Sequence, residues 1–142
     1  MEYQVFHLGG YEISTDPTRL DIHAIHQYLT RSYWAKGILR DKVAKSLQAL
    51  LCFGVYQANM QIGFARVVSD YTTFAYLCDV YMLEDHRRKG LGKWLIQTVI
   101  DYPNLQGLRR FQLATKDAHG LYKQFGFQPL FKPENQMVKR QK

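Results

Sequence analysis

The sequence predicts an α+β (mixed α/β) chain built on one twisted sheet, and three observations predict it. β-prone runs at Leu51–Gln57, Gln61–Ser69 and Phe74–Leu83 follow one another through short turns, the pattern of an antiparallel meander. Leu91, Trp94, Leu95, Thr98, Val99 and Tyr102 then recur at helical spacing. Another long strand-like run, Leu108–Ala114, follows that helix, so it should return as the parallel neighbour of Phe74–Leu83 through a right-handed crossover.

The remaining elements follow in order. Tyr3–His7 and Tyr11–Thr15 are short strands around Gly9-Gly10. Asp16-Pro17-Thr18 opens a helix, with Thr18 as N-cap, Asp21 close to a capping-box position, and Ile22, Ile25 and Leu29 as the apolar stripe. His23 and His26 lie beside that stripe and read as surface or edge histidines. Tyr33-Trp34-Ala35-Lys36-Gly37-Ile38 breaks the helical pattern. The aromatic pair there either walls a substrate pocket or plugs the core. A second helix is expected over Arg40–Ala49, with Val43, Leu47 and Leu50 on one face. Gly63, inside a strand, marks a bulge or a close backbone approach. Pro103-Asn104 and Gln106-Gly107 end the long helix. Thr115-Lys116-Asp117 caps a short helix with the stripe Ala118, Leu121, Tyr122 and Phe125, stopped at Gly126. Phe127–Phe131 reads as a strand and Gln136–Lys139 as an edge strand. The sum is about seven strands flanked by about four helices.

At 142 residues this is the length of one domain, 1–142, able to bury a sizeable core. A hydrophobic share of 46% and an aromatic share of 14% argue against disorder. No apolar run reaches membrane-spanning length, and Met1-Glu2-Tyr3-Gln4-Val5 lacks the features of a signal peptide. Cys52 and Cys78 sit in strand-like runs without CxxC or histidine spacing. They read as buried free thiols of a reducing compartment, so a soluble cytoplasmic protein without a metal site is expected. The formal charge of +7 invites a nucleic-acid reading. Its clusters at Arg87–Lys89, Arg109-Arg110 and Lys139–Lys142 come without a helix-turn-helix, zinc finger or RNP-like segment, so no nucleic-acid or membrane partner is expected.

The central cluster has a better use. In Val80-Tyr81-Met82-Leu83-Glu84-Asp85-His86-Arg87-Arg88-Lys89-Gly90-Leu91-Gly92-Lys93, a strand feeds a helix through a glycine-containing turn. The helix starts at or just after Gly90. Its first-turn N–H groups lack partners and stand at the positive end of the helix dipole, which makes an anion site. Gly90 and Gly92 let a phosphate come close to the backbone, and Arg87, Arg88, Lys89 and Lys93 add charge. A Walker A loop does not fit, because the four-residue gap and the hydroxyl are missing. A dinucleotide fingerprint does not fit either, because Leu95 stands in place of its third glycine.

Arg87-Arg88-Lys89-Gly90-Leu91-Gly92 instead resembles the [Q/R]-x-x-G-x-[G/A] acyl-CoA pyrophosphate loop of the GNAT N-acetyltransferase superfamily. Ala118-His119-Gly120-Leu121-Tyr122-Lys123-Gln124-Phe125-Gly126-Phe127 is similar to that family's A-x-x-x-Y-x-x-x-G-F segment. Tyr76-Leu77-Cys78-Asp79-Val80-Tyr81-Met82 has the form of its central strand. The element order is also similar over nearly the whole chain.

The resemblance implies a GNAT-like mixed sheet and acetyl-CoA as cosubstrate. The coenzyme pyrophosphate would lie on the amides of Arg88–Lys93, including Leu91. Its pantetheine arm would enter a gap between the central strand and the next, pairing with Val80 and Met82 around Tyr81, near Thr115 and Ala118. Thr115 departs from the asparagine common there. A backbone N–H in the gap would hold the oxyanion formed on amine attack. The resemblance makes Tyr122 the general acid for the departing thiolate, a phenol of pKa about 10 being suited to that task. As a residue of the apolar stripe, Tyr122 also reads as a core tyrosine. The acceptor amine must lose a proton. The glutamate that some members place early in the central strand is Tyr76 here. Asp79 matches an acidic position of the diamine acetyltransferases and would attract a cationic amine and relay its proton through water, or it is a strand aspartate satisfied by hydrogen bonds. His119 and Asp70 are outside candidates for the base.

These readings converge on acetyl transfer to a small-molecule primary amine, polyamine-like or an amino acid, by direct attack in a ternary complex, with Tyr33, Trp34 and Asp79 at the acceptor. A monomer or homodimer is expected. The alternatives are a peptide or protein amine as acceptor, or a non-catalytic acyl-CoA-binding regulatory domain.

Overall fold

A computed structural model describes residues 2–48 and 50–141. Met1, Lys142 and Ala49, the predicted end of the second helix, lie outside the described residues. Strands β1 (Val5–Leu8), β2 (Tyr11–Ser14), β3 (Leu51–Gln57), β4 (Met60–Ser69), β5 (Phe74–Met82) and β6 (Arg110–Leu113) form one sheet in chain order. Each neighbour is antiparallel except the β5–β6 pair, which is parallel as expected. The helices are α1 (Ile22–Thr30), α2 (Arg40–Ser46), α3 (Leu91–Ile100) and α4 (His119–Lys123).

Burial explains why short helices persist. Leu91, Leu95, Ile96 and Val99 of α3 pack on one face of the sheet with Phe53, Val55, Ile62, Val67 and Leu77. Ile25 and Leu29 of α1, Val43 of α2 and Leu47 just past it cover the other face, against Cys52, Phe64 and Tyr81. Each such side chain contributes about 1.5–3 kcal/mol on burial. Helices as short as α1 and α2 would be marginal without that contribution.

Two expectations are corrected. Thr18 does not cap α1: the Asp16 carboxylate accepts from the Thr18 N–H (2.9 Å) and closes a 3-10 turn at Pro17–Arg19. Leu20 is extended, and Asp21 is the N-cap, accepting from the Ala24 N–H at 3.0 Å. The sheet has six strands among the described residues rather than about seven, because Phe127–Phe131 and Gln136–Lys139 form none. Phe127 packs edge-on against Phe111 and Tyr122, with ring centroids 5.8 Å apart in each case. Pro129 has no N–H to give a ladder. The last stretch buries nothing against the sheet, Met137 being 97% and Val138 79% exposed.

Gly63 shows both features expected of it. β4 carries an irregularity beside it, where Val55 faces Gly63 but Tyr56 faces Gln61. A Cβ at Gly63 would strike the Met82 Sδ and stand 3.0 Å from the Tyr81 carbonyl.

Candidate active site

The turn between β5 and α3 is shaped for an anion. Arg88 (φ 66°) and Gly90 (φ 77°) are left-handed, curling successive N–H groups into a concave nest. The backbone amides from Arg88 to Lys93 donate to no acceptor among the described residues, and Trp94 is the first to return a bond, to the Gly90 carbonyl at 3.0 Å. Gly90 needs its glycine for the positive φ. Gly92 does not, since its φ is ordinary and a Cβ there would meet nothing within 4 Å. Packing inside the chain therefore gives no reason for Gly92, whereas open space over free amides suits a diphosphate. Arg88, Lys89 and Lys93 are exposed around this nest. Arg87 is placed differently from expectation. Its guanidinium donates to the Met82 carbonyl (3.0 Å) and the Tyr28 hydroxyl (2.7 Å), tying the turn to β5 and α1 instead of reaching for a phosphate.

Beside the turn, the sheet opens. β5 and β6 pair only over Phe74–Leu77 and Arg110–Leu113, so Cys78–Met82 runs on without a partner on that edge. The gap is part of a cleft of about 500 Å3 that reaches from Arg87 and Gly92 past Val80, Tyr81 and Met82 to Thr115, Ala118 and Tyr122. The Leu83 N–H bonds the Ile62 carbonyl across to β4. Strand alternation then turns the backbone groups of Met82 and Val80 toward the gap. The Met82 carbonyl already accepts from Arg87, which leaves its N–H for a ligand. Tyr81 contributes differently from expectation. Its ring is buried and stacks on Tyr28 at 4.0 Å, so it forms part of the wall on the α1 side.

The unpaired stretch of β5 begins at a bulge. Cys78 faces Arg66 and Tyr81 faces Phe64, so Asp79 and Val80 together oppose Ala65. Asp79 takes a left-handed φ of 58°, an uncommon state for a non-glycine residue, and two hydrogen bonds hold it there. Its Oδ1 accepts from the Trp34 indole N–H (3.0 Å) and its Oδ2 from the Arg66 Nε (2.9 Å). Asp79 is thus an ion-paired carboxylate rather than a free anion.

Tyr33 and Trp34 wall the cleft and do not plug the core. The Tyr33 hydroxyl accepts from the Lys116 N–H at 2.9 Å, across the cleft on the segment leading to α4. With Trp34 bound to β5, the two aromatics brace both sides of the opening. Thr115 does not cap α4 as expected: the N-cap is Ala118, without a side-chain cap bond, and Thr115 Oγ1 accepts from the Ala118 N–H (3.0 Å) in the turn ahead of the helix, its own proton staying available toward the cleft.

Tyr122 is 9% exposed, packed on Phe127, and lines the cleft. Its hydroxyl makes no hydrogen bond with the described residues, yet it is not sealed from solvent. Burial, with Tyr33 and Asp117 adding to it, pushes the phenol up to about 12. It is therefore fully protonated at neutral pH and can donate. The outside candidates for a base are placed differently from each other. Asp70 turns its carboxylate on Thr72, Thr73 and Phe74 in the β4–β5 turn, and exposed His119 lines a hollow of about 650 Å3 along β6 and α4 that shares Thr115 and Tyr122 with the cleft.

Several cleft residues escaped the sequence reading. Tyr28 lies off the apolar stripe of α1, and its role depends on Tyr81 and Arg87, both distant in sequence. Cys78 also lines the cleft, but burial pushes its thiol up to about 11 and its Sγ–H points to the Arg66 carbonyl at 3.5 Å. Arg66 had a visible signal, a lone charge inside an apolar strand.

A sequence model described as the Acetyltransferase (GNAT) family matches residues 11–127. The chain belongs to the GNAT acetyltransferase family. A crystal structure from Xanthomonas campestris pv. campestris, assigned to the same family, is 47% identical, covers 92% of each chain and superposes with a TM-score of 0.89. A Gibberella zeae protein whose name places it provisionally among the acetyltransferases is 33% identical over 80% of this chain and 76% of its own length. The fold is shared more widely, for example with a Clostridium acetobutylicum protein solved with acetyl-CoA, at 14% identity over 92% of this chain and 94% of that one and a TM-score of 0.65. Among the described residues of this GNAT acetyltransferase, no helix is long and apolar enough to cross a membrane.

Proposed function

We propose that the chain transfers the acetyl group of acetyl-CoA to the primary amine of a small molecule, by direct attack in a ternary complex. The observation that carries the reading is the run of free amides from Arg88 to Lys93, which opens directly onto the unpaired edge of β5. These amides and the left-handed turn would hold the diphosphate. Val80 and the Met82 N–H would pair with the pantetheine arm, with Thr115 and Ala118 on its far side. The thioester supplies an activated acetyl group. As the amine nitrogen bonds to the acetyl carbon and the carbon–sulfur bond breaks, Tyr122 gives its proton to the leaving sulfur. Asp79 helps hold the amine, and its remaining lone pairs can pass the amine proton to water.

Cys78 supports a single-step transfer, because a thiol near 11 is not a thiolate at neutral pH. Two free thiols suit a reducing, cytoplasmic setting. The test is thiol release from acetyl-CoA across a panel of amines, beside calorimetric titration of coenzyme A. Coenzyme binding with acetylated product bears the reading out. Absence of coenzyme binding overturns it.

A further inference from the structure

We propose that the acceptor is a free α-amino acid with an uncharged side chain, and that Arg66 selects it by holding its carboxylate. The inference rests on the cleft being the transfer site. Its starting point is the Arg66–Asp79 pair, whose side chains are only 18% and 12% exposed. Arg66 uses Nε on Asp79. Its two terminal nitrogens donate to no acceptor among the described residues, yet neither is sealed from solvent. A guanidinium with its outer fork free, beside a cleft-lining carboxylate, is a ready receptor for a second carboxylate. Asp79 spends one lone pair on Arg66 and one on Trp34, which leaves room for an ammonium N–H.

Charge pairing favours an acceptor that carries both signs. The Arg66–Asp79 pair carries no net charge, and among the described residues Asp117 is the other acidic side chain that lines the cleft. An amino acid carries its ammonium and carboxylate on one carbon, so its dipole can lie antiparallel to the Asp79–Arg66 dipole. Tyr28, Tyr33, Trp34, Tyr76 and Tyr81 line the rest of this side of the cleft, which suits an apolar or aromatic side chain. The bulge at Asp79 fits the same purpose, since it takes the carboxylate out of strand alternation and brings it to Arg66.

The experiment compares kcat/KM for thiol release with matched acceptors: leucine against leucinamide and isopentylamine, tyrosine against tyramine, and spermidine. Loss of two charge-assisted hydrogen bonds predicts that each amino acid exceeds its carboxylate-free partner by about 10²- to 10⁴-fold. Arg66→Lys, which keeps a cation for Asp79, should bring that ratio down toward unity with no change in coenzyme A affinity. Arg66→Gln should do the same, with circular dichroism confirming its fold. Equal or faster turnover of the amines or spermidine would overturn the amino-acid acceptor while leaving acetyl transfer intact. An unchanged ratio in Arg66→Lys would overturn the role of Arg66. Thiol release with no acceptor of either kind would overturn both readings.

Discussion

Replacing Tyr122 by Phe separates catalysis from packing, because the structure predicts opposite outcomes for the two. The ring is buried against Phe127, but the hydroxyl bonds to nothing among the described residues. Removing it therefore leaves no orphaned partner, and stability should change by no more than about 0.5 kcal/mol. In a chain of this size the melting midpoint then moves by roughly 2 °C or less. Coenzyme A affinity should also hold, since the diphosphate nest lies on the other side of the cleft. The rate should not hold. Loss of a general acid costs about 10²- to 10⁴-fold, or roughly 2.7–5.5 kcal/mol in the barrier. Burial sets the pH range. The phenol is pushed up to about 12, so the acid form is complete across pH 6–9 and Tyr122 imposes no fall in rate there. The linkage has the matching sign: its contribution to stability is full below about pH 10, where the unfolded phenol titrates, and is lost as pH rises toward 12. The assays are continuous thiol release, calorimetric titration of coenzyme A and a thermal melt. A fully active variant would remove the assigned acid. A drop of many degrees in the melt would make Tyr122 a packing residue.

Other positions test the surrounding frame. Gly90→Ala puts a side chain on a residue at φ 77°, at a cost of about 1–2 kcal/mol; both the melting midpoint and coenzyme A affinity should fall, and an unchanged affinity would count against the nest. Gly63→Ala forces a methyl group into Met82 Sδ and the Tyr81 carbonyl, an overpacking cost of about 1–3 kcal/mol that should appear as a lower denaturant midpoint. Hydrogen bonds from Thr73, Thr72 and Phe74 hold the Asp70 carboxyl well below the usual carboxylate range, so its contribution is full above about pH 4 and fades as pH falls further. Asp70→Ala should accordingly melt below wild type at pH 7, with the gap closing toward pH 2. Cys78→Ser should keep activity within a few-fold, and mass spectrometry of the wild type with acetyl-CoA should find no acetylated cysteine; a stable acetyl-Cys78 would contradict direct transfer.

Local chemistry wrote much of this molecule into its sequence. Periodicity located β3, β4, β5 and α3 nearly to the residue, because each buries a continuous apolar face that no other local structure would match. The glycine turn before α3 was legible for a similar reason. The proposed phosphate site would need only backbone amides and two small residues, and both are local properties. The segments after Gly126 misled, since Phe127–Phe131 has strand-like composition but spends its aromatic ring on Phe111 and Tyr122 and carries a proline. What the sequence could not decide is how side chains far apart along the chain share their charges. Asp79 read either as an anion for a cationic amine or as a strand aspartate satisfied by hydrogen bonds, and a bulge in β5, with its partner register on β4, turns it onto Arg66 and Trp34. Arg87 looked like a phosphate ligand, and Tyr28 draws it away. Those outcomes depend on the register of paired strands and the docking of α1, which exist only once the sheet has formed.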